Sequence, residues 1–257
     1  PDKSPEMAKI ANDGLAEVVA KNPDHFVGYS ATLPMNNPDA AAKEAERALK
    51  NGANAVQIGT NANGGPIDGK EFWPIYEVIE KSGKPILLHP ARSREMIDYA
   101  GEAKSKYEIC SVLGWPFETG VALSRFIFSK IMDTYPTLKI VSHHLGGVIP
   151  YLDGRIAHSF DQMGVRTSDE DYESLRKSLK KRPYDYFKDL IKGDDASAEQ
   201  HRQFLRVVEP VEHDDRGRWA FDISLVEPRG QRRAFIRHLD ALDVRITHRD
   251  ALAEAAQ

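Results

Sequence analysis

Apolar positions along this chain fall into two alternating rhythms. Short apolar runs of strand length are followed by longer stretches in which apolar residues recur every three or four positions. The pair repeats roughly every thirty residues, as consecutive βα units do. The segment EMAKIANDGLAEVVAKN sets Met7, Ile10, Ala11, Leu15, Val18 and Val19 on one helical face, and HFVGYSATLP then reads as a strand. NNPDAAAKEAERALKNGAN is a punctuated helix: Asn37 is the N-cap, Pro38 lies in the first turn, and Gly52 falls just past the end. NAVQIGT is the next strand and GKEFWPIYEVIEKSGK the next helix, stopped by Gly83. The almost wholly apolar PILLHP reads as a short strand with both faces buried, as in a parallel sheet. A longer polar connection bordered by Cys110 and Trp115 follows. Beyond it, FETGVALSRFIFSKIMDTYP predicts one long amphipathic helix, LKIVSHH a strand, and VIPYLDGRIAHSFDQM a further helix.

Four strands, each led into by a helix, predict a parallel α/β fold, for which a TIM-like (β/α)8 barrel is the best fit. A doubly wound open sheet stays as the alternative, although neither G-x-G-x-x-G nor a P-loop occurs. The composition changes near Asp194: all 17 lysines lie at or before Lys192, whereas residues 195–257 hold 10 of the 18 arginines. The chain therefore divides into a barrel-like region, 1–194, and an unassigned Arg-rich tail, 195–257, of α+β or fused character. Within the tail, GRWAFDISLVEPRGQRRAFIRHLDA reads as two β segments joined by a Pro/Gly turn. The opening PDKSPEMAKIANDGL has no initiator Met and is already in a helical pattern, which reads as a start partway through a longer protein.

Charge and cysteine usage narrow the classes. A formal net charge of −4 and the lack of a basic stripe argue against a nucleic-acid partner. No apolar run reaches ~18 residues, so no membrane span is read. The one cysteine, Cys110, cannot form an internal disulfide and suits a reducing cytoplasm, where it reads as a small core residue rather than a nucleophile. Phe72, Trp73 and Tyr76 read as core packing, and ESLRKSLKKRPYDYFK as a solvated helix face.

Chemistry concentrates where strands end in histidine: His89 in ILLHP, and His143 with His144 in IVSHH. In parallel barrels the active site forms at the C-terminal ends of the strands. Imidazoles converging there from different strands are suited to a divalent ion, zinc especially. The competing reading is polar strand ends bonded to nearby backbone. Side chains alternate along a strand, so His143 and His144 cannot both point inward while the strand continues. Gly146 and Gly147 allow a tight turn, either toward a ligand or simply as a loop.

The stretches NAVQIGTNANGGPIDGKEFWPIYEVIEKSGKPILLHP, WPFETGVALSRFIFSKIMDTYPTLKIVSHHLGGVIPYLDGRIAH and RPYDYFKDLI together resemble the amidohydrolase-related family of metal-dependent TIM barrels. The resemblance covers about residues 6–194. It rests on V-Q-I-G-T, the H-P strand end, the P-x-E-T helix start, the H-x-G-G turn and G-R-I-x-H, in order. It implies His89 as a metal ligand and His144 as the catalytic acid/base beside a Zn2+ or other divalent ion. It implies Arg155 as the contact to a substrate carboxylate, often across a subunit interface, and hence a homodimer. Arginine suits that contact because its planar fork donates two parallel hydrogen bonds. His143 is left facing the outer layer, and His158 is structural.

Two family features lack counterparts. The family opens on a strand ending in H-x-H and closes its metal site with a late D-[YM]-P, and this sequence contains neither. The expected fold is therefore a partial barrel lacking its first and last strands, with Asp222 in AFDIS the weak substitute for the late aspartate. The resemblance implies a non-oxidative decarboxylase of a small unsaturated or aromatic carboxylic acid, or alternatively a metal-dependent hydrolase on the same scaffold; the absent H-x-H and late aspartate leave a third reading, an inactive, metal-free fragment or fusion.

Overall fold

The structure, a computed structural model, describes residues 3–165, 170–192, 209–211 and 220–222. The chain divides into two compact units, Pro1–Ala20 with Gly28–Leu190, and Lys21–Val27 with Ile191–Gln257. The first unit is α/β. Its strands β1 (Ser30–Thr32), β2 (Ala55–Gly59), β3 (Ile86–His89) and β4 (Ile140–Ser142) form one sheet in the order β1-β2-β3-β4. Every pair is parallel, with Ser30 opposite Ala55, Val56 opposite Ile86, and Ile86 opposite Ile140. Neighbours in sequence are thus neighbours in space, as in consecutive βα units. A doubly wound sheet would reverse its strand order at a switch point, and no reversal occurs among the described strands.

Helices α1 (Ser4–Lys21), α2 (Pro38–Lys50), α3 (Trp73–Ser82) and α5 (Gly114–Phe128) alternate with the strands. One short helix, α4 (Ile109–Val112), precedes α5, and α6 (Ile131–Thr134) follows it. The unit closes with α7 (Asp153–Asp161), α8 (Tyr172–Lys177) and α9 (Pro183–Lys192), the last residues of which pass into the second unit. The α2 start is the one the sequence encodes: Asn37 Oδ1 accepts from the Ala40 N–H at 3.1 Å, with Pro38 at the first position. Gly83 ends α3 in a left-handed conformation, φ 68°.

The core lies on one face of the sheet. Val56, Ile58, Ile86, Leu88 and Ile140 are buried together with Ile75, Tyr76 and Ile79 of α3 and Phe126 and Ile127 of α5. Each such aliphatic or aromatic side chain contributes about 1.5–3 kcal/mol by leaving water. The alternate positions differ: Leu87 and His89 are half-buried and Gln57 is exposed. The reading of PILLHP as buried on both faces is therefore corrected, because only its Ile86 and Leu88 face is covered by helices. His89, two residues after Leu87, projects from the other face.

Two helical expectations also change. Met7 and Ile10 of α1 are 66% and 63% exposed; the residues α1 buries are Ala8 and Asn12. Asn12 prevails because it satisfies the free edge of β1. Its Nδ2 donates to Thr32 O at 3.0 Å and to Glu44 Oε1 at 2.7 Å, while its Oδ1 accepts from Thr32 N–H at 2.9 Å. The expected single helix over FETGVALSRFIFSKIMDTYP starts at Gly114 and breaks at Lys130, which takes φ 67° between α5 and α6. The basic run expected as one solvated face divides between α8 and α9, and Lys180 there donates to the Asp133 backbone carbonyl at 2.7 Å. Phe72 and Tyr76 are core residues, as expected.

In the second unit, β5 (Glu209–Val211) pairs antiparallel with β6 (Ala220–Asp222), Glu209 facing Asp222. Asp222 thus ends a strand of an antiparallel pair. The second β segment expected after residue 222 lies outside the described residues. Among the described residues no helix is long and apolar enough to cross a membrane.

Candidate functional site

The C-terminal ends of β3 and β4 lie side by side, Leu88 opposite Ser142. The His143 N–H extends the ladder by one bond, donating to Leu88 O at 3.0 Å. The strand then stops. His144 adopts φ 54°, in the left-handed region, and opens a 3-10 turn through Gly146. This reversal of backbone hand removes the alternation that would have sent the two imidazoles to opposite faces.

The result is a cluster of three imidazoles. The His89 ring centroid lies 4.9 Å from that of His143 and 5.3 Å from that of His144; the latter two are 6.3 Å apart. The expectation that His143 faces the outer layer is therefore corrected: it is the imidazole nearest His89. Trp115, from the first turn of α5, caps the cluster with its ring 5.7 Å from His89 and 5.8 Å from His144. Burial, then the neighbouring His89 and His144, lowers the pKa of His143; burial, then His89, lowers that of His144. Both shifts favour the neutral form of the ring.

His89 is oriented by its own backbone. Its Nδ1 is 2.7 Å from the Pro90 carbonyl oxygen. A carbonyl can only accept, so Nδ1 carries the proton and Nε2 presents its lone pair, the arrangement usual for a metal-binding histidine. Beside it an open depression of about 180 Å³ is lined by Thr32, Met35 and Gln57 as well as His89 and Ala91. The H-x-G-G turn is fixed by packing. Gly147 has φ 62°, and its N–H donates to His144 O at 3.0 Å while Val148 N–H donates to Pro116 O at 3.2 Å.

Arg155 is exposed on α7 and makes no ion pair among the described residues. His158 is exposed on the same helix. Cys110 is a half-buried free thiol in α4. Sequence reasoning set His143 aside and missed Trp115 and Glu118. The first was hidden by the alternation rule, the second had no periodic signal, and the third was visible only as the P-x-E-T motif.

As a metal centre the cluster is incomplete. His89 offers one well-oriented ligand, but among the described residues no group of three or more His, Cys, Asp or Glu side chains is arranged to hold an ion. A catalytic zinc site needs three protein ligands, so the residues described here do not by themselves fit one.

A family model described as amidohydrolase matches residues 2–242, past the 194 boundary of the resemblance read from the sequence. The chain is 34% identical over 162 residues to the 2-amino-3-carboxymuconate-6-semialdehyde decarboxylase of Dictyostelium discoideum, covering 63% of this chain and 44% of that protein. It is 36% identical over 169 residues to the γ-resorcylate decarboxylase of a Polaromonas species, covering 60% and 48%. It therefore spans about half the length of the curated relatives it matches. Among solved structures, 5-carboxyvanillate decarboxylase from Sphingomonas paucimobilis aligns with TM-score 0.62 at 28% identity, covering 78% of this chain and 58% of that one. A dihydroxybenzoic acid decarboxylase from Polaromonas, solved with bound manganese and the inhibitor 2-nitroresorcinol, aligns with TM-score 0.57 at 30% identity, covering 71% and 54%. A family match along nearly the whole sequence, over a sequentially ordered parallel sheet, leaves one conclusion: the chain belongs to the amidohydrolase family.

Proposed function

We propose that this chain carries part of the active site of a non-oxidative decarboxylase acting on a small unsaturated or aromatic carboxylic acid. The observation that carries the reading is the 5.3 Å separation of the His89 and His144 rings at one end of a parallel sheet. Relatives at 34% and 36% identity that are decarboxylases favour this reading over a hydrolase. The sheet is then a segment of a (β/α)8 barrel without its first and last strands, and residues 195–257 form a separate Arg-rich segment. A reducing, cytoplasmic setting belongs to the same reading, with Cys110 the chain's single cysteine.

His144 is the acid/base group. A proton delivered to the substrate carbon bearing the carboxylate leaves the conjugated system beside it electron-deficient; the carbon–carbon bond breaks, its pair flows into that system, and carbon dioxide leaves. Arg155 is the carboxylate contact, supplied across a homodimer interface. His89 would be this chain's one contribution to a site for a divalent ion, zinc or another, whose remaining ligands the described residues do not supply.

The test is carbon dioxide release by the purified chain from 2,6-dihydroxybenzoate and from carboxymuconate-type acids, with divalent metal present. His144→Ala is expected to lower the rate by about 10²–10⁴-fold. No release from either class would refute the decarboxylase, and hydrolysis of an ester or amide instead would establish the hydrolase. The incomplete donor set favours a second reading, an inactive and metal-free segment. Near-stoichiometric zinc or manganese by elemental analysis, lost on His89→Ala, would eliminate it.

A further inference from the structure

The C-terminal ends of β2 and β3 are joined by a carboxylate that the proposed chemistry does not use. Glu118, at the P-x-E-T start of α5, accepts three hydrogen bonds. Thr60 Oγ1 donates to its Oε2 at 2.8 Å, Ala91 N–H to the same oxygen at 3.1 Å, and Asn61 Nδ2 to Oε1 at 2.7 Å. Thr60 is nearly buried and closes a ring with the neighbouring strand. Its N–H donates to His89 O at 2.9 Å, and its hydroxyl oxygen accepts from Ala91 N–H at 2.9 Å. One turn earlier in α5, Trp115 Nε1 donates to Arg92 O at 2.9 Å, holding the next residue of the same segment.

The decisive atom in this network is Ala91 N. It belongs to the same planar peptide unit as the Pro90 carbonyl, so fixing the direction of one fixes the other. Glu118 and Thr60 hold the N–H end, which aims the carbonyl end at His89 Nδ1, 2.7 Å away. We propose that Glu118, with Thr60 as its relay, is a positioning residue that sets the tautomer of His89: it holds the Pro90–Ala91 peptide so that Nδ1 stays protonated and the Nε2 lone pair faces the site. Without the carboxylate the peptide can rotate, its carbonyl leaves Nδ1, and the imidazole reverts to the mixture of tautomers set by solvent. The inference rests on the proposed function only in giving the Nε2 lone pair its use as a ligand.

The experiment reads the tautomer directly and needs neither metal nor turnover. The full chain, labelled with 15N-histidine and stripped of metal, is examined by long-range 1H–15N NMR at about pH 8.5, where ordinary imidazoles are neutral. His89→Gln assigns the signal. In the unsubstituted protein His89 is expected to be protonated at Nδ1 in at least nine molecules in ten. Glu118→Gln and Thr60→Val are expected to give a mixture with at least a third protonated at Nε2, and Thr60→Ser to restore the single form. An Nε2-protonated His89 in the unsubstituted chain would overturn the proposal outright, whatever the variants do. So would an unchanged tautomer in a folded Thr60→Val or Glu118→Gln protein. If the tautomer shifts as expected while the unsubstituted protein releases no carbon dioxide, the positioning role stands and the decarboxylase reading fails.

Discussion

Replacing Gly147 with alanine tests the packing that builds the histidine cluster. The residue has φ 62° and ψ −125°, a conformation open to glycine but not to other L-residues. A Cβ placed there would be 2.4 Å from Pro116 O and 3.0 Å from Thr119 Cβ, about 1 Å inside ordinary contact with the carbonyl. The obstacle is the backbone of α5, which cannot swing aside as a long side chain would. The backbone strain costs about 1–3 kcal/mol. Displacing the Pro116 carbonyl forfeits its bond from Val148 N–H, about 1 kcal/mol more. A total of about 2–4 kcal/mol corresponds to a fall in Tm of roughly 5–15 °C for a domain of this size. Thermal unfolding followed by circular dichroism, beside Gly154→Ala, measures it. Gly154 is in α7 with nothing within 4 Å of its would-be Cβ, so alanine there is expected to be neutral or stabilising by up to ~1 kcal/mol. A Tm for Gly147→Ala within 2 °C of the unsubstituted protein would mean that the turn does not pack on α5 as described.

The lowered pKa values of His143 and His144 give the metal-free protein an acid-side weakness. The unfolded chain binds protons more readily than the fold, so stability is full above the ordinary histidine value of about 6.5 and falls as pH drops below it, levelling once the lowered folded values are passed. Urea midpoints between pH 8 and pH 5 measure this, and His143→Gln should flatten the slope; an unchanged slope would refute the assignment. His144→Asn tests whether the left-handed residue carries strain. Asparagine tolerates that region better, so Tm should hold or rise, while carbon dioxide release is lost. A clear fall in Tm would show that the imidazole stabilises the fold instead.

Local signals in the sequence were legible wherever local chemistry decides the structure. Asn37 and Pro38 start α2, Gly83 ends α3, and the four apolar runs become the four parallel strands, because capping, left-handed glycine and strand length are properties of a few adjacent residues. The discrepancies have long-range causes. Nothing near Lys130 announces a break, but Asp133 just beyond it is bonded by the Tyr186 hydroxyl and by Lys180, residues some fifty positions away in the chain. The apolar stripe of α1 loses the core to Ala8 and Asn12 for the same kind of reason: Asn12 answers the unpaired edge of β1, twenty residues on. Periodicity ranks faces by hydrophobicity alone, and a buried asparagine that satisfies an edge strand is invisible to it.

The site was half legible for a related reason. That His89 and His144 would meet followed from placing both at C-terminal ends of parallel strands. The mistake over His143 came from extending the rule of alternation one residue too far. β4 ends at Ser142, and alternation applies only while the backbone stays extended. A single left-handed residue, His144 at φ 54°, then brings two adjacent imidazoles to one side, at a cost of about 1–2 kcal/mol that glycine at the same position would avoid. Glycine does occupy the next two turning positions, 146 and 147, where no ring is presented. Within this turn the strained non-glycine conformation is confined to the residue whose side chain joins the cluster. That confinement favours a working role for the His144 ring over a mere turn, because a turn alone would be built more cheaply from the glycine already used beside it.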